Sequence, residues 1–483
     1  MKTLTISNVF TILSLFCCFT ILTDLAEAAE NKKPNVVLIL VDDMGWMDLS
    51  CQGSDYYKTP HIDKLAAEGM RFTDAYAACS VCSPTRAAVM TGRLPGRIGV
   101  TDWIRARFQR GDIGTPEANP TEYVGGKKQK LLCPPNPYWL EHEEITVAEL
   151  LQHEGYKTCH IGKWHLGDPD WYPLSQGFDI NIGGCDLGQP PSYFDPYSHP
   201  RYSFEESFKP RKKDEFLTHR EGDEAKQFIR ANKENSFFLS YCPYAVHTPI
   251  QAIDEVAAKY RKEGKKEIQA KYAALVESVD DAVGMIVDEL QSQKLLDNTL
   301  IIFTSDNGGL KGPTDNTPLR SGKGYAYEGG IRVPFIARWP GVVPAGTVSH
   351  EPIMSIDLLP TICEAVGVSV PDDRAIDGVS LLPLFKNESH QLEDDRVLTW
   401  HFPHYRHAPG PYSIIRDGDW KLIQWYEGKK ELYNLADDLS ESKDLSSEHQ
   451  EQLVKLEQKL ARELKQQGAK LPKLNPEYDP PTK

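Results

Sequence analysis

Apolar and polar positions follow two regimes along this chain. Asn35-Val36-Val37-Leu38-Ile39-Leu40-Val41 is a continuous β-branched and aliphatic run, the pattern of a strand buried on both faces of a sheet. Residues 156–161, 236–241 and 298–304 repeat that pattern. Between the runs the period lengthens. Ile268, Tyr272, Leu275, Val279, Val283, Ile286 and Leu290 recur at helical spacing and predict one long amphipathic helix whose stripe is core. Residues 61–68, closed by Gly69, predict a short helix. Thr146-Val147-Ala148-Glu149 is a capping box opening a helix that stops at Gly155. Strands alternating with helices predict an α/β fold.

Two stretches break the pattern. Residues 103–140 and 183–222 are rich in Gly, Pro, Tyr and charge without periodicity, and loops of that length in a compact domain are usually functional or disordered. They predict a substrate rim, with Trp103, Arg105, Arg107, Tyr138, Trp139, Tyr193 and His199 as candidate contacts. After about residue 385 the texture changes. Residues 412–416, 420–425 and 431–435 read as short antiparallel strands, 450–467 as a charged helix, and the Pro-rich end as a loose tail. The expected division is 29–385 for a large domain and 386–483 for a small one.

The first 28 residues stand apart. Lys2, the apolar run from Val9 to Leu22 and Ala26-Glu27-Ala28 have the layout of a cleaved secretory signal, which predicts a secreted or periplasmic product. No later stretch approaches a membrane span, so no integral membrane segment is expected in the mature chain. Eight of the ten cysteines lie beyond the signal, and an exported protein can pair some of them, although sequence does not say which. The formal net charge of −15 argues against a nucleic-acid partner. An anionic substrate would then need basic residues gathered locally.

The chemistry-bearing residues fall at strand ends. The four buried runs are followed by Asp42-Asp43, by Lys163 and His165, by His247, and by Asp306-Asn307. In open α/β sheets ligands bind outside the carboxyl ends of strands, so these groups can meet at one rim. Taken singly each has an ordinary alternative, a solvated carboxylate or lysine, or a histidine bonded locally. Asp42, Asp43, Asp306 and Asn307 offer only oxygen, which suits a hard cation such as Ca2+ or Mg2+, and no histidine stands beside them at a zinc-site spacing. Arg86, Lys163, His165, His247 and Lys323 offer positive charge and donors for an oxyanion. Cys82-Ser83-Pro84-Thr85-Arg86 precedes a run of helix formers ending at Gly92. Ser83 is expected as N-cap and Pro84 at the first helical position, with Cys82 at the helix mouth and Arg86 in its first turn. A metal and cations around a nucleophile at a helix start suit group transfer from a sulfate or phosphate ester.

The pattern C-x-P-[ST]-R at Cys82–Arg86 resembles the signature of the type I, formylglycine-dependent sulfatases, arylsulfatase-like. Further blocks resemble that family in kind and order: Asp42-Asp43, Thr91-Gly92-Arg93, Gly162-Lys163-Trp164-His165, His247-Thr248-Pro249, Asp306-Asn307-Gly308, Gly322-Lys323-Gly324 and Glu328-Gly329-Gly330. Thr85, where many members carry serine, is the one mild variation. The resemblance implies an alkaline-phosphatase-like mixed sheet flanked by helices, with a smaller C-terminal α+β domain. It implies Ca2+ held by Asp42, Asp43, Asp306, Asn307 and the modified Cys82, with Mg2+ as the alternative. It also implies conversion of Cys82 to formylglycine by a maturation enzyme. Arg86, Lys163, His165, His247 and Lys323 are the remaining catalytic residues by the same implication, acting on a sulfated small molecule or glycan. Two other readings stay open at this point: a phosphoester hydrolase of the same superfold, and a sulfated-glycan-binding protein with unmodified Cys82.

Overall fold

The computed structural model describes residues 33–110, 116–204, 207–208, 211–392, 395–407 and 409–480. The signal-like stretch falls outside the described residues. Eight strands form one mixed sheet: β1 (Asn35–Val41), β2 (Met70–Phe72), β3 (Lys157–Gly162), β4 (Ile180–Ile182), β5 (Phe237–Cys242), β6 (Thr299–Ser305), β7 (Phe335–Arg338) and β8 (Thr347–Ser349). Their spatial order is β8-β2-β7-β6-β1-β5-β3-β4. The five strands from β6 to β4 run parallel, and β7 alone is antiparallel to both of its neighbours.

The reason for the continuous apolar runs is visible in β1. Val37, Ile39 and Val41 point into one core and Val36, Leu38 and Leu40 into the other. Each such side chain contributes about 1.5–3 kcal/mol by leaving water. The long helix Glu267–Ser292 covers the first face, its stripe buried from Tyr272 to Leu290. Ile268, expected in that stripe, is instead 42 % exposed, because the helix has not yet reached the sheet at its first turn. Helix Leu217–Ala231 packs beside it and takes the end of the stretch that reads as loop from sequence. The opposite face is covered by Cys82–Thr91, Val147–His153 and Leu358–Val366. The capping box is formed: Glu149 N donates to Thr146 Oγ1 at 3.1 Å and Thr146 N to Glu149 Oε2 at 2.7 Å.

The C-terminal part forms a four-stranded antiparallel sheet, β9 (Val397–Phe402), β10 (Tyr412–Asp417), β11 (Trp420–Trp425) and β12 (Lys430–Asn434), with helix Gln450–Gln467 on one face. Its other face meets the large domain through a buried ionic network. Lys421 Nζ donates to Glu328 Oε1 at 2.9 Å and Glu441 Oε1 at 2.7 Å, and Arg416 reaches Asp74 at 2.8 Å. The tail is not loose at its start, because Lys473–Leu474 pair antiparallel with Leu131–Leu132 of the long loop. The eight cysteines of the described residues are unbridged, and all but Cys51 are buried.

Candidate active site

β6, β1, β5 and β3 are consecutive neighbours, so their carboxyl ends open on one rim. Register aligns them: Val41 lies beside Ser305, and Gly162 beside Cys242. The residues after each strand therefore converge. The predicted residues Asp42, Asp43, Cys82, Arg86, Lys163, His165, Asp306, Asn307 and Lys323 are all brought there and buried, and His247 is nearly so. Asp43 and His165 each adopt a left-handed φ of 62°, a conformation that costs a non-glycine residue energy and persists where the surroundings impose it. Asp43 N donates to Asp306 Oδ1 at 3.2 Å, and His165 N to Cys185 O at 3.0 Å.

Cys82 opens the helix. The helix spans Cys82–Thr91 with Val81 as N-cap and Gly92 as left-handed C-cap, so Ser83 is not the cap and Pro84 is the third helical residue. Ser83 has a different task. Its Oγ donates to His165 O at 3.0 Å and accepts from Ile104 N at 2.9 Å. Thr85 closes the preceding turn, its Oγ1 accepting from Cys79 N at 3.1 Å and donating to Cys79 O at 3.2 Å. His165 Nε2 lies 2.7 Å from Ile104 O, a contact that places the ring proton on Nε2. Nδ1 is then an acceptor, 3.4 Å from Cys82 Sγ. Burial first, then Lys163 and Arg86, hold His165 well below the ordinary histidine range, so the ring is neutral.

Three carboxylates face three cations. Lys163 Nζ is 2.7 Å from Asp42 Oδ2, Lys323 Nζ is 2.5 Å from Asp43 Oδ1, and Arg86 Nε and Nη2 are 2.9 and 2.8 Å from Asp306 Oδ2. Arg86 Nη1 also donates to Lys163 O at 2.7 Å. Arg86, expected in the first turn to hold an anion, begins the second turn and holds Asp306 in place instead. Burial opposes the charge of Asp43, but Lys323, His247 and Lys163 keep its carboxyl well below the usual range. Burial, with Asp306 and Asp43 nearby, raises that of Asp42 despite Lys163. Lys323 is held charged by Asp43 against the effect of burial.

The charge pairs leave oxygens over. Asp42 Oδ1, Asp43 Oδ2 and Asn307 Oδ1 are buried without a hydrogen-bond partner, which is costly unless a cation meets them. Asn307 is oriented by donating from Nδ2 to Asp43 Oδ1 at 2.9 Å. The oxygen-only expectation needs one amendment: Asp42, Asp43 and His247 offer ligand atoms within 4.8 Å of one another, with His247 Nε2 3.6 Å from Asp43 Oδ2. A loop carries the histidine there, out of sequence proximity. Its Nδ1 lies 2.9 Å from Thr248 O, which leaves Nε2 as the unprotonated nitrogen, and burial and Lys323 lower its pKa to about 3.

A cavity of about 180 Å3 opens over Cys82, lined by His165, His247, Lys323, Trp103 and Arg406 among others. Larger surface clefts, up to about 680 Å3, lie elsewhere and hold no comparable charge set. Of the candidate rim contacts, Trp103 lines the cavity and Arg105 stands exposed over the Trp103 ring, 5.7 Å from its centroid. Two expectations fail. Trp139 is buried against Trp171, with ring centroids 3.9 Å apart. Tyr193 is fully buried and donates to Tyr244 O and His247 O, so it positions the histidine loop. Arg107 is tied to Asp186, Tyr138 lies under Arg110, and His199 stacks on Tyr202.

Three site features are not legible in the sequence. Ile104 O fixes the His165 tautomer. Gly188 leaves room for the ring, since a Cβ there would fall 2.6 Å from His165 Cε1. Arg406 arrives from the small sheet. Gly188 and Arg406 sit in irregular loops, where no strand end or helix start marks a residue as part of a site.

Comparison with known proteins agrees with this geometry. The family described as Sulfatase matches residues 34–368, and that described as N-sulphoglucosamine sulphohydrolase, C-terminal, matches 321–470. N-acetylgalactosamine-6-sulfatase of Homo sapiens is 36% identical over 382 residues, covering 74% of this chain and 67% of its own. A sulfatase of Formosa agariphila is 31% identical over 497 residues, covering 87% and 86%. The crystal structure of Ps i-CgsB in complex with k-i-k-neocarrahexaose superposes with a TM-score of 0.75 at 31% identity, covering 90% of this chain and 92% of that one. Four strand ends gathered around a cysteine at a helix start, in a sequence that matches the family over most of its length, place this chain in the type I sulfatase family, whose members hydrolyse sulfate esters.

Proposed function

We propose that this protein is an exported sulfatase that removes sulfate from a carbohydrate sulfate ester through a formylglycine at position 82. The observation that carries the reading is the set of unpartnered buried oxygens on Asp42, Asp43 and Asn307 beside Cys82. With all three carboxylates ionised, as a bound cation would hold them, they cancel the three cations of the cage. A divalent cation held by Asp42, Asp43, Asp306 and Asn307 leaves the cage positive, as a sulfate ester and its departing oxyanion require. The oxygen donors suit Ca2+, with Mg2+ as the alternative. That cation would polarise a sulfate oxygen.

Converted by a formylglycine-generating enzyme, position 82 supplies a hydrated aldehyde with two hydroxyls, one to attack sulfur and one to let sulfate leave. The chain's own residues do the rest. His165, neutral and with Nδ1 facing position 82, accepts the proton of the hydroxyl whose loss expels sulfate. Ser83 and Ile104 keep that nitrogen aimed. Lys323 and His247 line the cavity and meet the ester, Lys323 carrying the positive charge. Lys163 and Arg86 hold Asp42 and Asp306. The division at 385/386 is supported by Phe385 packing in the core of the large sheet while Leu398 packs with the small one. The carbohydrate substrate is supported by the names of the relatives and by Trp103 at the cavity.

The test is sulfate release from an aryl sulfate and from N-acetylgalactosamine 6-sulfate by protein produced with a maturation enzyme. Activity that disappears in Cys82→Ala and falls at least about 100-fold in His165→Ala supports the reading. Equal turnover of a phosphate monoester would point instead to a phosphoester hydrolase.

A further inference from the structure

We infer that Arg406, with Arg105 beside it, recognises a second negative charge on the substrate, so that the sugar sulfate accepted best carries a sulfate or carboxylate next to the ester that is cut. The inference rests on the sulfatase reading and specifies its substrate class. Arg406 belongs to the connection between β9 and β10 of the small sheet, yet it lines the same cavity as Cys82, His165, His247 and Lys323. It is exposed and makes no ion pair or hydrogen bond among the described residues. Arg105 is likewise exposed and unpaired there, apart from lying over Trp103. In a chain of net charge −15, two such guanidinium groups near Asp102, Arg406 lining the Cys82 cavity and Arg105 the adjoining cleft, are a local reversal of sign. Asp102 is the carboxylate near both. Its Oδ1 accepts from Trp103 N at 2.8 Å, and it forms an ion pair with neither arginine.

Arg406 is placed by packing. Its segment lies against the loop that carries Lys323: a Cβ on Gly324 would fall 2.5 Å from Arg406 Nε and 2.9 Å from His407 Nε2. His407 stacks on Tyr325 with centroids 4.1 Å apart and planes 4° apart. Gly324 N donates to Ser80 O at 2.8 Å, and Ser80 Oγ meets Tyr412 OH at 2.7 Å, which ties the small sheet to the Cys82 turn. The scissile group already has Lys323 beside it, so Arg406 is a cation in excess of what the reaction needs. Space for a neighbouring ring exists. A cleft of about 510 Å3 is walled by Asp102, Arg105, His404 and Tyr405, consecutive with or adjacent to the residues that wall the first cavity, so the two arginines stand at the divide. A planar fork there suits bidentate capture of sulfate or carboxylate, and Trp103 offers a flat face to the sugar between.

The test is calorimetric binding to the full chain carrying Cys82→Ala, which cannot turn the ligand over. Three ligands are compared: a hexosamine with one sulfate, the same hexosamine with two, and the one-sulfate hexosamine joined to a uronic acid. At least one doubly charged ligand is expected to bind more tightly than the singly charged one. Arg406→Gln should reduce that preference by about 10- to 100-fold, with Arg406→Lys between the two and Arg105→Gln smaller. The ligand that loses its advantage identifies sulfate or carboxylate. No preference for either doubly charged ligand, or a preference that survives Arg406→Gln unchanged, would overturn the inference. The sulfatase reading fails separately: with Cys82 intact and converted, no sulfate would be released from an aryl sulfate, whatever the binding preference.

Discussion

Gly188→Ala offers the sharpest test of how the base is held. A Cβ at position 188 would sit 2.6 Å from His165 Cε1, 2.7 Å from Nε2 and 3.2 Å from Nδ1. Carbon atoms rest at about 3.5–4.0 Å, so the ring must retreat by about 1 Å. It cannot do so without lengthening the 2.7 Å contact to Ile104 O or the 3.4 Å approach to Cys82. The φ of Gly188 lies outside the left-handed region, so alanine fits the backbone and the perturbation is confined to the imidazole. A misplacement of that size is expected to lower kcat by about 100-fold. The assay is steady-state sulfate release with matured enzyme, alongside thermal melting to show that the fold survives. If glycine acts through the ring, Gly188→Ala combined with His165→Ala should be no slower than His165→Ala alone. Activity within threefold of the unaltered enzyme, or additive losses in the double variant, would refute the reasoning.

Three other outcomes are expected. Adding Ca2+ to metal-stripped protein should raise Tm, because a cation that meets Asp42 Oδ1, Asp43 Oδ2 and Asn307 Oδ1 binds only the folded chain, and Asp42→Asn should abolish most of the shift. Lys421→Met should destabilise the fold by about 3–5 kcal/mol in chemical denaturation, since it takes the cation from fully buried Glu441 and one of two from Glu328, which keeps Arg332. His401, buried between Ser413 Oγ and Lys470 O, has its pKa lowered from 6.5 to about 4, chiefly by burial. Between those values the unfolded chain takes up a proton that the folded chain refuses, so stability is complete above pH 6.5 and falls by about 3 kcal/mol as pH drops toward 4. His401→Gln should flatten that acid limb in pH-dependent denaturation.

What could be read in advance followed from how directly each residue's pattern reports its surroundings. Val36 to Val41 alternate between two cores, so an unbroken apolar run was an accurate sign of a strand covered on both faces. Helix Gln450–Gln467 keeps Leu453, Leu456, Leu460 and Leu464 on one side and has the bounds at which the sequence reads as a charged helix. Helix Leu217–Ala231 escaped notice because Thr218, Glu221 and Gly222 occupy buried positions that an apolar stripe would fill. The strand ends announced Asp42, Asp43, Asp306, Lys163 and His165, since parallel neighbours must deliver their carboxyl ends to one rim. Ser83 looked like a cap and proved to be a strut for His165, because its hydroxyl is within reach of Ile104 and His165 only after the loops close. Gly188 lies 23 residues of chain from His165 and Arg406 lies 324 from Cys82, and no local pattern records that they share a site.

The measurement that bears most directly on the central claim is the mass of the peptide containing Cys82 from protein made alongside a formylglycine-generating enzyme. The account predicts that the thiol is replaced by an aldehyde, with a lower mass and no reaction with thiol reagents, and that sulfate release rises in proportion to the converted fraction. An unmodified thiol despite a competent maturation enzyme, or full conversion without sulfate release from any ester tested, would contradict it.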